Sequence, residues 1–578
     1  MAVDEIDVVA LSFGLFVCLY GIFSFYVKER LYLGEAPLAV LLGIILGPYG
    51  FGRITHWSGE GGDEENADKI ALGFSRIVIG IQLVLVGIQL PKYYPIHEAR
   101  SLAMLILPVM ICSWLIVAGL IMFVIPNVPF LVALVIAASS TPTDPVLANS
   151  ICKGAFADQY VPARVRNIIS AESGINDGLA YPFLFLAIRL IKSPTTTEAL
   201  TTWIFQDVLY TVGGAIVAGI VVGVAANRAL RFACRNSLID KESFLLYGPL
   251  LGVTMIGIAG AAGLDDLLAA FVAGNAFTYD DWYRKETEED EVQNVLDFLL
   301  NSAFFAFAGA AVPFITFNMP EIGTSPLRLL LLALLVLLFR RLPPVLLLYK
   351  GIPAFKDIGE SAFAGYFGPI GAGAIYYASE ILQEFPKDEI DTYGPYAQRI
   401  RDLVRPIAYS LILASLIGHT MAIPFVKLVF TWKGTGSIKL LETQRRDEHA
   451  SQEERAEESY EEGQGDAPEE AENSQQEGGH SHGVPHPPDL ESGHPPSSVH
   501  ATTRMRRGGT ARGLSNDGGA SVASGSSRKK EVADAYQRGL DASWKQSSGH
   551  KLGTHLGYEH TDSEGEREHR HRGQDPET

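Results

Sequence analysis

Apolar residues in this chain come in long runs, neither alternating nor spaced to make one buried face. Between residues 8 and 430 the runs reach about 20 residues, enough as helices to cross the roughly 30 Å hydrocarbon core of a bilayer, and short segments bearing charge, Gly or Pro divide them. About thirteen spans result, at 8–27, 33–50, 69–90, 101–125, 128–150, 163–190, 204–226, 245–263, 265–279, 294–318, 326–348, 358–383 and 403–430. The runs 128–150, 265–279 and 358–383 are weaker, being short, polar or interrupted by Gly and Pro. The first run follows Asp4, Glu5 and Asp7 instead of a basic segment, and no small-residue cleavage site comes after it, so it reads as a retained helix. The pattern predicts an all-α polytopic membrane protein.

Charge then orients the spans. Alternate short loops gather Lys28 and Arg30, Lys92 and Arg100, Lys153 with Arg164 and Arg166, Arg228 to Lys241, Arg284 with Lys285, and Arg340 to Lys356, and basic loops face the cytoplasm. The opposite set holds the acidic loop Ser58 to Asp68 and nearly uncharged turns at Pro126-Asn127 and Asn318-Pro320. An odd number of spans puts the N-terminus outside and the C-terminus in the cytoplasm. Composition changes near residue 431, dividing the chain into a transmembrane domain (1–430), a basic amphipathic segment suited to the inner leaflet (431–445) and an acidic, His-rich tail (446–578). The tail has too little apolar surface to offset the entropy of ordering, so a disordered cytoplasmic tail is expected. Eleven of the 14 histidines lie there, and His480, His482 and His486 would suit a transition metal or a pH sensor as well as a plain solvated tail. The net charge of −19 argues against nucleic-acid binding, the apolar runs exclude a soluble enzyme, and Cys18, Cys112, Cys152 and Cys234 have neither metal-ligand nor disulfide spacing.

Ionisable residues inside spans are costly and each calls for a reason. In Ala138-Ser139-Ser140-Thr141-Pro142-Thr143-Asp144-Pro145-Val146, the two prolines remove backbone donors and prevent a regular helix at membrane depth. The freed carbonyls, four hydroxyls and a carboxylate together suit a hard cation, and interrupted helices point to the binding site of a secondary transporter. The other reading is a proline kink with hydroxyls bonded back to the helix, which leaves Asp144 unexplained. In Ser170-Ala171-Glu172-Ser173-Gly174-Ile175-Asn176-Asp177-Gly178, four-residue spacing puts Ser173 beside Asp177 and Glu172 beside Asn176. A carboxylate withdrawn from water is neutralised by whichever cation or proton joins it, so one group can carry either. Glu172 reads as an ion-pair partner, with Arg341 favoured over Arg340.

Thr143-Asp144-Pro145 together with Glu172-Ser173-Gly174-Ile175-Asn176-Asp177 resembles the monovalent cation/proton antiporters of the sodium/proton exchanger class. Thr141-Pro142-Thr143-Asp144-Pro145, Leu264-Asp265-Asp266-Leu267-Leu268-Ala269-Ala270-Phe271, Asp280-Asp281-Trp282 and Gly365-Tyr366-Phe367-Gly368-Pro369-Ile370-Gly371 are similar to the fungal plasma-membrane Na⁺/H⁺ antiporters, a likeness that covers about residues 8–440. The resemblance implies inverted repeats, a dimerisation domain and a mobile core in which two broken helices, 138–146 and 361–374, cross at the ion site. It implies that Asp177 exchanges cation for proton, that Asp144, Ser173 and Thr143 help to bind Na⁺, and that Asn176 holds the core. Thr141, Pro142 and Pro145 become selectivity candidates. Asp265 and Asp266 are candidates for ion access or for simple helix capping. Ile370 departs from the Arg that many animal and prokaryotic members carry, which adds weight to Arg341.

The expected function is export of Na⁺ or Li⁺, with K⁺ left open, in exchange for H⁺, by a plasma-membrane homodimer that confers salt tolerance and needs no cofactor. The alternative is a cation channel or a non-transporting cation sensor with a transporter-like core, although no repeated carbonyl-ring motif supplies a filter. An enzyme is the poorest reading, since the spans contain no nucleophile–base pair. Glu35 reads as a capping or interface acid, His419 as a hydrogen-bonded core histidine before a proton relay, and Glu380 with Glu384 as a solvated outer face.

Overall fold

The computed structural model describes residues 5–30, 34–52, 54, 64–145, 147–148, 161–288 and 290–433. Arg53, most of the loop Ser58 to Asp68, Cys152, Lys153 and the tail from residue 434, with His480, His482 and His486 and nearly all of the amphipathic segment, lie outside the described residues. The principal helices are α1 (Glu5–Phe25), α2 (Ala36–Leu46), α3 (Glu64–Gln89), α4 (Met110–Val124), α5 (Phe130–Ser139), α6 (Ala163–Lys192), α7 (Gly213–Arg235), α8 (Lys241–Ala261), α9 (Asp266–Phe277), α10 (Val292–Ala310), α11 (Pro326–Phe339), α12 (Leu342–Leu348), α13 (Ile358–Tyr366), α14 (Ala372–Glu384) and α15 (Ile390–Lys433). Seven helical stretches among the described residues are long and apolar enough to cross a membrane, and α2, α5 and α9 are shorter apolar helices. The protein is an all-helical, multi-pass membrane protein.

Local chemistry sets the helix ends. Asp240 accepts from Ser243 N at 2.7 Å, Asp265 from Leu268 N at 2.9 Å and Ser325 from Arg328 N at 3.3 Å, each satisfying an amide that the first turn leaves without a partner. Asp357 does the same for Gly359 N and Glu360 N at 2.6 and 2.9 Å. The helix of α15 is interrupted at Gly394, whose φ of 61° and ψ of −145° suit glycine.

Packing centres on α3, which lies against α8, α9 and α14, while α7 packs on α9 and α2 on α10. Glycines set the closest approaches. A Cβ at Gly43 would overlap Ala306 O, and one at Gly309 would overlap Val40 O, so α2 and α10 meet backbone to backbone. Without a hydrophobic driving force between helices in lipid, such small-residue contacts supply the van der Waals attraction.

Five of the apolar runs prove discontinuous or short, among them 33–50, whose helix is the 11-residue α2. The run 128–150 is helical to Ser139 and again from Pro145, and 358–383 divides into α13 and α14 around residues 367–371. The run 326–348, expected to be one span, divides into α11 and α12 at Arg340-Arg341, where both side chains turn into the protein, 3% and 6% exposed. The stretch 265–279 is the short α9.

Gly43→Ala is expected to force α2 from α10 and lower stability by about 1–3 kcal/mol through overpacking. Thermal unfolding of the detergent-solubilised protein checks it, with Gly257→Ala, where nothing lies within 4 Å of the added carbon, as the unaffected control.

Candidate functional site

The interruption after α5 is held by α6. Thr143 N donates to Asn176 Oδ1 at 3.1 Å, Asn176 Nδ2 donates to Thr143 Oγ1 at 2.9 Å, and Thr143 Oγ1 lies 2.9 Å from Ser173 Oγ. Asn176 thus supplies both the acceptor and the donor that a non-helical residue at this depth needs. Ser173, Asn176 and Asp177 lie on adjoining turns of α6, so the residues that hold Thr143 also set Asp177 beside it. The two interruptions meet directly, because Asp144 N donates to Pro369 O at 2.9 Å.

The four half-helix ends at this meeting point are matched by charge. Asp144 stands at two N-termini, accepting from Leu147 N at 2.9 Å and from Ala372 N, the first amide of α14. Arg340 stands at the C-terminal carbonyls, its Nη1 2.5 Å from Ser140 O, 3.3 Å from Thr141 O and 3.1 Å from Pro142 O, while Nη2 donates to Gly368 O. A carboxylate at the positive ends and a guanidinium at the negative ends oppose the peptide dipoles and pair the amides and carbonyls left open at the breaks. This changes one expectation from the sequence. The carbonyls of Ser140, Thr141 and Pro142 at the break are occupied by Arg340, and Ser139, Ser140 and Thr141 bond back to their own helix, at 2.7 Å to Ile136 O, 3.3 Å to Ala137 O and 2.7 Å to Ala137 O. Of the four hydroxyls expected to face a cation, only that of Thr143 turns to α6.

Arg341 pairs with Glu172 through both guanidinium Nη atoms and donates from Nε to Ala364 O at 3.1 Å. The ion pair therefore ties α6 to the last turn of α13. Arg340, the other member of the dipeptide, was missed as a site residue. The available signal was that two adjacent arginines within an apolar run each need buried acceptors, and Glu172 satisfies only one.

Asp177 is different from every other acid here. It is 1% exposed, and neither carboxylate oxygen has a hydrogen-bond partner among the described residues. Its backbone carbonyl accepts from the Tyr377 hydroxyl, which attaches α6 to α14. Glycines admit the two carboxylates to the start of α14: a Cβ at Gly373 would stand 2.9 Å from Asp177 Oδ1, and one at Gly371 would overlap Asp144 Oδ2. A buried carboxylate with open oxygens has a strong demand for a cation or a proton.

The remaining candidates lie around this centre. Asp265 caps α9 with Oδ1 and leaves Oδ2 without a partner, whereas Asp266 pairs with Arg76 and accepts from Tyr376 at 3.2 Å. Glu384 pairs with Lys192 at 2.6 Å and Glu380 is half-buried, so these two are not a solvated face. Glu35 pairs with Lys28 at 3.5 Å and accepts from Asn301 at 3.3 Å. Arg189 grips the fully buried Asp207 at 2.9 and 3.0 Å, a pair that 18 residues of sequence separation concealed.

The sequence model for the transmembrane sodium/hydrogen exchanger matches residues 14–428. A probable Na⁺/H⁺ antiporter of Schizosaccharomyces pombe is 39% identical over 75% of this chain and 57% of its own length. A Na⁺/H⁺ antiporter of Saccharomyces cerevisiae is 40% identical over 65% of this chain and 38% of its own. The chain thus spans about half the length of the curated relatives it matches. The structure of the sodium proton antiporter MjNhaP1 from Methanocaldococcus jannaschii at pH 8 superposes with a TM-score of 0.52 at 20% identity, covering 72% of this chain and 98% of that one, and so shares the fold.

Replacing Glu172 or Arg341 singly by Leu is expected to cost about 3–5 kcal/mol by stranding a buried charge, and the double replacement to cost less than either. Thermal unfolding of the three variants checks it; additive losses would overturn it. Arg340→Lys is expected to fold but unfold at lower temperature, because a point charge cannot serve carbonyls on both interruptions at once.

Proposed function

This chain belongs to the sodium/hydrogen exchanger family, and we propose that it exchanges cytoplasmic Na⁺ or Li⁺, with K⁺ as a further candidate, for external H⁺ by alternating access around Asp177. The observation that carries the reading is the pair of buried, unpartnered Asp177 oxygens beside the meeting point of two interrupted helices. Asp144 and Glu172 are each held by donors from their surroundings, so Asp177 is the acid left to take a cation or a proton. In this reading Ser173 and Thr143 contribute hydroxyl oxygens, Asp144 contributes negative charge, and Asn176, Glu172 and Arg341 keep the geometry. One carboxylate cannot hold both ions, and their competition couples the two fluxes. Because loading changes the net charge of the site, only a loaded site moves readily across the membrane.

The finer architecture follows the same reading. Inverted repeats, with α5 and its continuation crossing α13 and α14, would put the site at mid-membrane and let a mobile core rock against a dimerising partner domain. A homodimer in the plasma membrane, with the N-terminus outside, the tail inside and a role in salt tolerance, belongs to the same proposal and rests on the sequence resemblance and the distribution of basic loops. In the same reading Thr141, Pro142 and Pro145 act on ion selectivity through the shape of the first interruption, where the Thr141 hydroxyl donates back to Ala137 O. Asp265 and Asp266 stay candidates for ion access in this reading, with Asp265 also capping α9 and Asp266 paired with Arg76. The channel or sensor alternative gains no specific observation.

Cation-dependent dissipation of a pH gradient in proteoliposomes is expected for the wild type with Na⁺ and Li⁺ and is expected to vanish in Asp177→Asn, with K⁺ run alongside. The half-saturating Na⁺ concentration should fall as pH rises, because fewer protons then compete for the carboxylate. Retained exchange in Asp177→Asn would move the exchanging role to another acid, and flux of Na⁺ without proton movement would favour a channel.

A further inference from the structure

Helix α15 brings two buried side chains to the second interruption, one turn apart: Ser415, fully buried, and His419, 4% exposed. Ile370 N donates to Ser415 Oγ at 2.7 Å, Ser415 Oγ lies 3.1 Å from His419 Nδ1, and His419 Nε2 lies 3.0 Å from Tyr366 O. The Ser415 oxygen accepts the Ile370 amide, and the imidazole faces a carbonyl on each side, Tyr366 O at Nε2 and Ser415 O, 2.8 Å away, at Nδ1. A ring proton on Nδ1 donates to Ser415 O, whereas one on Nε2 donates to Tyr366 and leaves Nδ1 to accept the Ser415 hydroxyl; the second tautomer is the one that links Ile370 to Tyr366 through both side chains.

The two ends of this series fall on either side of the gap. Tyr366 is the last residue of α13, and Ile370 lies two residues before α14 begins at Ala372. The chain's own turn within the gap, Gly368 N to Tyr366 O at 2.9 Å, stops short of α14. The rings of Tyr366 and Phe367 pack on the imidazole with centroids 5.4 and 6.4 Å away. The width of the gap fixes where Gly371, Ala372 and Gly373 present themselves, and these residues touch the Asp144 and Asp177 carboxylates. We propose that Ser415 and His419 form a clamp that spans the second interruption and positions the start of α14 for cation binding, a positioning role that rests on the exchanger reading. Neither side chain touches the ion. They act through the placement of backbone, and a site held in its binding geometry beforehand spends less of its affinity on ordering.

The test uses the full chain with His419→Leu, Ser415→Ala, their double replacement and His419→Gln, the last of which can still donate through Nε2 and accept through Oε1. Proteoliposome exchange is expected to need about tenfold more cation for half-saturation in the Leu, Ala and double variants, with the double no worse than the stronger single, since both break one series. His419→Gln is expected to keep the wild-type value. Hydrogen–deuterium exchange over residues 366–373, read by mass spectrometry, is expected to quicken in Leu and Ala and not in Gln. An unchanged half-saturating concentration at normal protein yield, a Gln variant as impaired as Leu, or unchanged deuterium uptake would each overturn the clamp. Should His419→Leu fail to fold, Ser415→Ala and His419→Gln decide the matter. Should wild-type protein show no exchange, the exchanger reading falls, and deuterium uptake alone then judges whether the clamp exists.

Discussion

The cost of leaving a peptide group without a partner inside a membrane governs this structure. Three apolar runs stop and restart, two of them meeting at Asp144, and every stop exposes amides or carbonyls that lipid cannot satisfy. Asp144 and Arg340 answer most of that demand, one carboxylate between two N-termini and one guanidinium across the carbonyls of both interruptions. Neither charge would be tolerable alone at this depth, and neither interruption would be stable without them. The helix ends and the buried charges therefore justify each other.

Asp177 gains its character by contrast. Its neighbours Asp144, Glu172 and Asn176 are committed to backbone amides, to Arg341 and to Thr143. The glycines at 371 and 373 let the α14 backbone approach both carboxylates closely without donating a hydrogen bond to the Asp177 oxygens. The framework supplies hydrogen bonds to the Asp144 side chain and none to that of Asp177. Tyr377 joins the two regimes, because its hydroxyl anchors the Asp177 backbone while leaving the side chain alone.

Much of this was legible in the order of residues. Pro142 and Pro145 announce an interruption through their missing donors, and the acids in 170–178 stand out because a span has so few reasons to carry them. The pairing of Glu172 with an arginine followed from the need to neutralise it. What could not be read was which groups would use up the freed carbonyls. Arg340 lies about 200 residues from Ser140, and Asp144 is 228 residues from Ala372. The hydroxyls of Ser139, Ser140 and Thr141 were equally ambiguous, since such side chains bond to a preceding carbonyl as readily as to a ligand.

The sequence by itself determined a helical membrane domain, two of the places where its helices break, and the acids buried beside those breaks, because hydropathy runs, prolines and buried charge are local properties. Tertiary structure alone decided the division of labour among those acids. Whether a carboxylate is free to bind an ion depends on which amides and cations reach it from distant helices, and that is fixed only when the two interruptions are packed together.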